Sequence, residues 1–188
     1  MMRALVAVLF FLAQPFWEAR PPEKWTDQEL DQLRHNSPWA QSVGPEPLVV
    51  VYLATALPIV QADEEARARS RKPLPQPDVD YTDYVRDNAD EQFVLAITYP
   101  TLHGLGSAEE ELKMEQETQM VIGRKTYNIT GSFPPTPSDP VLRLVFPREV
   151  KLSDKSVAFH LYLPGLPFPE REAEFRVKDM AFKGKLEM

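Results

Sequence analysis

Residues 48–53 read Leu-Val-Val-Val-Tyr-Leu, and together with residues 93–99 (FVLAITY) and 141–146 (VLRLVF) they decide the fold class. A continuous run of β-branched and aromatic residues, with no polar residue at alternate positions, suits a strand covered on both faces. Three such strands need layers on both sides of their sheet. One layer is supplied between the first two runs. Residues 58–70 open with Pro58, which suits a first helical turn, and set Ile59, Ala62 and Ala66 at helical spacing. Glu65 and Arg69 form an i,i+4 pair of the favourable polarity. The cluster Arg67, Arg69, Arg71 and Lys72 reads as a solvated helix end, where cations complement the dipole, ahead of an anion patch. Pro73, Pro75 and Pro77 then make an extended connector.

Further helices are expected over residues 81–90 and 107–115. In the second, Ser107 and Glu110 have the spacing of a capping box. After Thr118 the pattern turns to strand, and residues 133–140 (FPPTPSDP) read as a surface loop. In the last third, Val157, Phe159, Leu161 and Leu163 alternate with Ala158, His160 and Tyr162, which marks a strand with one apolar face. The return strand places Ala173, Phe175 and Val177 on one side. Met180, Phe182, Leu186 and Met188 then continue at the opposite parity, so a bulge or break is expected at Lys178-Asp179.

The sharpest local signal lies earlier, at residues 25–30 (WTDQEL). Thr26 can cap a helix whose third residue, Glu29, reaches back to it, while Trp25 and Leu30 occupy the staple positions. Pro38 closes this helix, giving residues 27–35, and Trp39 follows. Two tryptophans bracketing a short helix serve as a clamp onto a core; exposed, the same pair would make a binding surface for a sugar or peptide.

The fold expected is therefore α+β: a mixed β-sheet with a C-terminal antiparallel hairpin and three to four short helices, the capped helix lying across one edge. A β-sandwich is the alternative, since at least six strands are plausible. Residues 1–19 read as a signal peptide. Arg3 precedes an unbroken apolar run over residues 4–13, which matches an h-region of roughly 7 to 15 residues better than a span of roughly 20. Ala19 suits the position before the cut, although Trp17 stands where a small residue is preferred. Residues 20–45 form an N-terminal arm around the capped helix, and residues 46–188 a single α+β domain. The localisation this implies is secreted or periplasmic, with no stable membrane insertion after cleavage.

Composition bounds the function. The 188 residues are 43% apolar with a formal charge of −7, a balance that supports a folded core and disfavours nucleic acid, which needs a basic stripe. The chain has no cysteine, so disulfides, thiolate zinc sites and thiol nucleophiles are all excluded. Three histidines, His35, His103 and His160, are too far apart in sequence for a local metal motif. The acidic series Asp78, Asp80, Asp83, Asp87, Asp90 and Glu91 fails the spacing of a calcium loop, with Asp83 where the loop needs glycine. One segment merits inspection as a site. Residues 101–107 (TLHGLGS) set His103, Gly104, Gly106 and Ser107 between a buried strand and a helix start, where backbone amides can hold an anion. The segment lacks the lysine of a phosphate loop and the elbow of an esterase, and a plain strand-to-helix turn accounts for its glycines.

Lys24-Trp25-Thr26-Asp27-Gln28-Glu29-Leu30 with Ser37-Pro38-Trp39-Ala40, then Phe146-Pro147-Arg148 and the ending Phe175-Arg176-Val177-Lys178-Asp179-Met180, resembles a group of exported proteins of soil bacteria of the acidobacterial type. The W-T-D-x-E-[LI]…S-P-W-A element is the most specific part. The resemblance implies secretion and a shared fold, and it brings no activity, cofactor or catalytic residue with it.

The function expected is that of a non-catalytic binding or interaction protein of the bacterial envelope, with another envelope protein or a small ligand as partner and with no cofactor or metal. Trp25, Trp39, His103, Gly104, Gly106 and Ser107 are the candidate ligand-binding residues. The alternatives are a hydrolase of unfamiliar type using His103 or His160, and a structural component of an envelope assembly.

Overall fold

Residues 14–71, 79–98 and 106–188 are described by a computed structural model of the chain. The chain runs through α1 (Phe16–Ala19), a 3-10 turn (Pro22–Lys24), α2 (Asp27–His35), β1 (Ala40–Val43), β2 (Val49–Leu53), α3 (Leu57–Arg69), α4 (Val79–Asn88) and β3 (Gln92–Thr98). It continues with α5 (Ala108–Glu117), β4 (Gln119–Ile122), β5 (Lys125–Asn128), β6 (Gly131–Phe133), β7 (Val141–Pro147), β8 (Ser156–Tyr162) and β9 (Glu170–Arg176). A second 3-10 turn (Val177–Met180) and the pair β10 (Ala181–Phe182) and β11 (Lys185–Leu186) close it.

The fold is α+β. Its strands divide between two main sheets rather than one, in the orders β1-β2-β3-β7-β6 and β5-β4-β8-β9, with β10-β11 as a separate small pair. Among the described residues every strand pairing is antiparallel. The three apolar runs became β2, β3 and β7, side by side, with Val51 opposite Ile97 and Leu95 opposite Leu144. Their inner residues meet those of β4, β8 and β9 in one core, where the Phe146 and Phe159 rings lie 5.3 Å apart and Phe159 and Phe175 5.9 Å apart. The two sheets thus share a core as in a sandwich. The helices that cover the first sheet's other face are what a pure sandwich lacks.

That outer cover explains why β3 and β7 carry no polar alternation. Val94 and Val145 point away from the main core into a second small cluster with Tyr81 of α4, flanked by Tyr84, Val85 and Phe133. Both faces are therefore covered at these positions, as an apolar run requires. The hairpin β8-β9 follows the expected parity, with Val157 opposite Phe175 and Phe159 opposite Ala173, all buried. The change of parity is absorbed by the 3-10 turn at Val177–Met180, which returns Met180 and Phe182 to the core.

The capped helix forms with the expected bounds. Thr26 Oγ1 accepts from Glu29 N at 3.2 Å, and the Glu29 carboxylate accepts from Thr26 N at 2.8 Å. That backbone hydrogen bond holds the Glu29 carboxyl below its ordinary pKa. The arm of residues 20–45 is part of the body: β1 is the edge strand of the first sheet, and Leu30, Leu33 and Trp39 belong to the main core. So do residues within the stretch read as a leader. Phe16 and Trp17 are half-buried, their rings edge-on to Trp25 at 5.9 Å and to Trp39 at 5.8 Å. Among the described residues, no helix is long and apolar enough to cross a membrane.

Candidate functional site

The outer face of the first sheet carries the site. Side chains alternate along a strand, so the residues between the core positions of β2, β3 and β7 share this face. Register places Tyr52 opposite Ala96, and Ala96 opposite Arg143. A tyrosine and an arginine therefore flank a methyl group, each about 4.8 Å from it across the sheet. Ala96 itself is fully buried, and the cleft opens beside it, lined by Tyr52 and Arg143. Helix α3 walls one side with Val60, Asp63, Ala66 and Arg67, and α4 the other with Tyr81, Thr82 and Val85. The end of α2 adds Arg34 and His35, and the resulting cleft measures about 440 Å³.

Arg143 is 7% exposed, and its charge is met locally. Its Nη1 donates to Asp139 Oδ2 at 2.7 Å and lies 3.4 Å from the Val141 carbonyl. Asp139 is set by the proline-rich loop. Thr136 and Asp139 exchange backbone hydrogen bonds of 2.9 and 3.1 Å around Pro137-Ser138, and Thr136 Oγ1 accepts from Asp139 N at 3.0 Å. Proline after a threonine is the chemistry of a tight turn, and here the turn delivers a carboxylate to the guanidinium. The Arg143 Cζ also lies 4.6 Å from the centre of the Tyr81 ring, a cation–π contact. Burial works against the Arg143 charge, but the hydrogen bond and attraction of Asp139 outweigh it and hold its pKa above the ordinary value.

Two tyrosines complete the floor. Burial pushes both phenols above their ordinary pKa, with Asp63 adding to the effect on Tyr52 and Arg143 opposing it. Both rings therefore stay protonated and can donate. The Tyr52 hydroxyl makes no hydrogen bond among the described residues, and Tyr52 is half-buried at the cleft wall. Arg34 pairs with Asp63 at 2.8 Å, tying α2 to α3. Arg67 is half-buried at the cleft and has no ion pair or hydrogen bond among the described residues.

The residues singled out in the sequence lie elsewhere. Trp25 is 2% exposed and Trp39 fully buried. The indole nitrogens donate inside the protein, Trp25 to the Arg20 carbonyl and Trp39 to the Glu187 carbonyl, both at 3.1 Å. The pair clamps α2 onto the core, and neither ring is offered to a ligand. His103 and Gly104 lie outside the described residues. Ser107 caps α5, its Oγ accepting from Glu110 N at 3.3 Å while Glu110 accepts from Ser107 N at 3.1 Å. Gly106 has φ +76°, and a Cβ there would overlap the Glu110 carboxylate. Gly106 and Ser107 thus serve the backbone geometry of a helix start.

The remaining polar signals also find places. His35 is exposed beside the cleft, with Nδ1 2.9 Å from the Asp31 carbonyl and 3.1 Å from the Asp31 carboxylate. His160 is exposed on the second sheet, opposite Glu172 and Gln119. No hydrogen bond joins either histidine to a serine among the described residues. Among the same residues, no three histidine or acidic side chains gather at metal-binding distance. The basic run at the end of α3 is not a merely solvated helix end. Arg69 donates to the Trp25 carbonyl at 2.7 Å, to Asp27 at 3.0 Å and to Glu65 at 2.7 Å, bolting α3 to the start of α2, while Arg67 turns to the cleft. The connector prolines 73, 75 and 77 lie outside the described residues.

The site that sequence reasoning missed is Tyr52, Arg143 and Asp139. Its one legible signal was the lone arginine inside the apolar run VLRLVF, a charge on a strand that is otherwise dry. No family model, no curated protein and no solved structure matches the chain.

Proposed function

We propose that this chain is an exported, non-catalytic binding protein whose small-molecule ligand seats in the cleft between α3, α4 and the outer face of the five-stranded sheet. The observation that carries the reading is the cleft itself. It has the size of a small-ligand site, an aliphatic patch at Val60, Ala66 and Val85, and a floor of buried polar groups held in fixed positions. A buried ion pair costs desolvation energy for both partners, and replacement by apolar residues is often neutral or stabilising. Retaining one at the bottom of an open cleft is understandable if it orients donors toward something bound there. Export is supported by the basic start followed by an apolar run at residues 4–13.

Native mass spectrometry of the protein purified from its own cells tests the binding reading. The parent should carry a bound species below about 0.5 kDa, the size such a cleft accommodates. Ala66→Trp, which fills the cleft from α3, should lose it. A parent without adducts, or an Ala66→Trp variant with the same adducts, refutes the reading. Fractionation of the cells tests export separately: the chain belongs outside the cytoplasm.

A further inference from the structure

We infer that the cleft takes a small organic carboxylate with an apolar body, a conclusion that rests on the cleft being a ligand site. Of the acceptors, Asp139 is held by Arg143 at 2.7 Å and Asp63 by Arg34 at 2.8 Å. Glu64 stands at the exposed rim, where hydration leaves a charge little to gain from pairing. Of the donors, the Tyr52 hydroxyl and the Arg67 guanidinium are half-buried and unpartnered among the described residues. Arg143 is engaged by Asp139 through Nη1 and by Tyr81, so it adds positive charge to the cleft rather than a free donor.

The surplus is therefore of donors. A ligand cation would meet two neutralised carboxylates and the hydrated Glu64, and a neutral ligand would leave Arg67 unpaired. A carboxylate satisfies the whole set, with charge-assisted hydrogen bonds roughly twice as strong as neutral ones. Tyr52 and Arg143 stand on the same face, one on either side of Ala96, so that an anion held by the Tyr52 hydroxyl lies on the side of the sheet that carries the Arg143 charge. Val60, Ala66 and Val85 offer its body an aliphatic wall. The net charge of −7 does not oppose this, because surface charges beyond about 10 Å are largely screened at 0.1 M salt.

The test uses three probes of nearly equal size, benzoate, benzyl alcohol and benzylamine, titrated into the 15N-labelled protein. Benzoate should shift the Thr55, Ala66 and Val85 amides saturably, with an affinity about tenfold above that of the alcohol, the usual advantage of an ionic over a neutral hydrogen bond. Tyr52→Phe and Arg67→Gln remove only uncommitted groups and should stay folded, which the amide spectrum reports directly. Each should weaken benzoate about fivefold. If the alcohol or the amine binds these amides as tightly as benzoate, the carboxylate inference falls while the cleft remains a binding site. If both variants bind benzoate like the parent, the assignment of Tyr52 and Arg67 falls with it. If no probe shifts these amides, the carboxylate inference and the cleft reading fall together.

Discussion

Breaking the Arg143–Asp139 pair should be costly in either single variant and much less costly in the double. The two side chains are 8% and 9% exposed and their nearest atoms are 2.7 Å apart. With charge centres about 4 Å apart and an effective dielectric of about 20, their attraction is about 4 kcal/mol. Burial offsets much of that gain in the intact pair, so the pair adds little net stability over an apolar replacement. Removing one partner leaves a lone buried charge, a loss of about 3 to 5 kcal/mol. Arg143→Met and Asp139→Asn should each therefore lower the unfolding free energy by about 3 kcal/mol, with Arg143→Met also losing the contact to Tyr81. The double variant leaves no lone charge and should cost only about 1 to 2 kcal/mol, less than either single, a coupling of about 4 to 5 kcal/mol. Urea unfolding monitored by tryptophan fluorescence measures all four corners, provided the slopes agree. Singles that cost less than about 1 kcal/mol, or a double that is additive within about 0.5 kcal/mol, would refute the account of the cleft floor.

Tyr52, whose phenol is raised above the ordinary 10.0 chiefly by burial, should make the protein alkali-sensitive. A raised folded-state pKa contributes stability that is whole below the unfolded value and is lost as pH rises through the folded one. The unfolding free energy should thus decline above pH 10.0 more steeply in the parent than in Tyr52→Phe, and identical slopes would show that the cleft does not shield the hydroxyl. Gly44 has φ +93°, and a Cβ there would overlap Nε and Cδ of the buried Arg171, whose Nε has no hydrogen-bond partner among the described residues. Gly44→Ala should cost about 1 to 3 kcal/mol, with part recovered in an Arg171→Met background; an equal penalty in both backgrounds excludes the overlap as the cause. Residues 14–19 belong to the folded body, with Phe16 and Trp17 packed on Trp25 and Trp39. A chain starting at Arg20 should be about 2 to 3 kcal/mol less stable than one starting at Gln14, since it loses two aromatic contacts and their buried area. Equal melting of the two would return those residues to the leader.

Much of the secondary structure was legible because its causes are local. Thr26 and Glu29, like Ser107 and Glu110, are three residues apart, so a capping box is complete within one turn of sequence. The dry strands were legible for a related reason: residues 93–97 lack any polar alternation whatever they pack against, which requires cover on both faces. The change of parity after Val177 likewise announced its break, because period-2 alternation cannot hold through an odd insertion.

The site was not legible, because its members come from distant segments and are related only by register. Nothing near Tyr52 in the chain indicates that it stands one strand from Ala96 and two from Arg143. Nothing near Asp139 indicates that the turn at Thr136 aims its carboxylate at a guanidinium. The two tryptophans show the converse. Composition made them the natural binding candidates, and packing against Phe16, Trp17 and Phe182 made them core. Sequence by itself determined the helix caps, the strand faces and the α+β class, which depend on neighbours within a few residues. Only the tertiary structure decided that the strands split into two sheets, and which side chains share the outer face of one of them, since both depend on long-range pairing that no local pattern encodes.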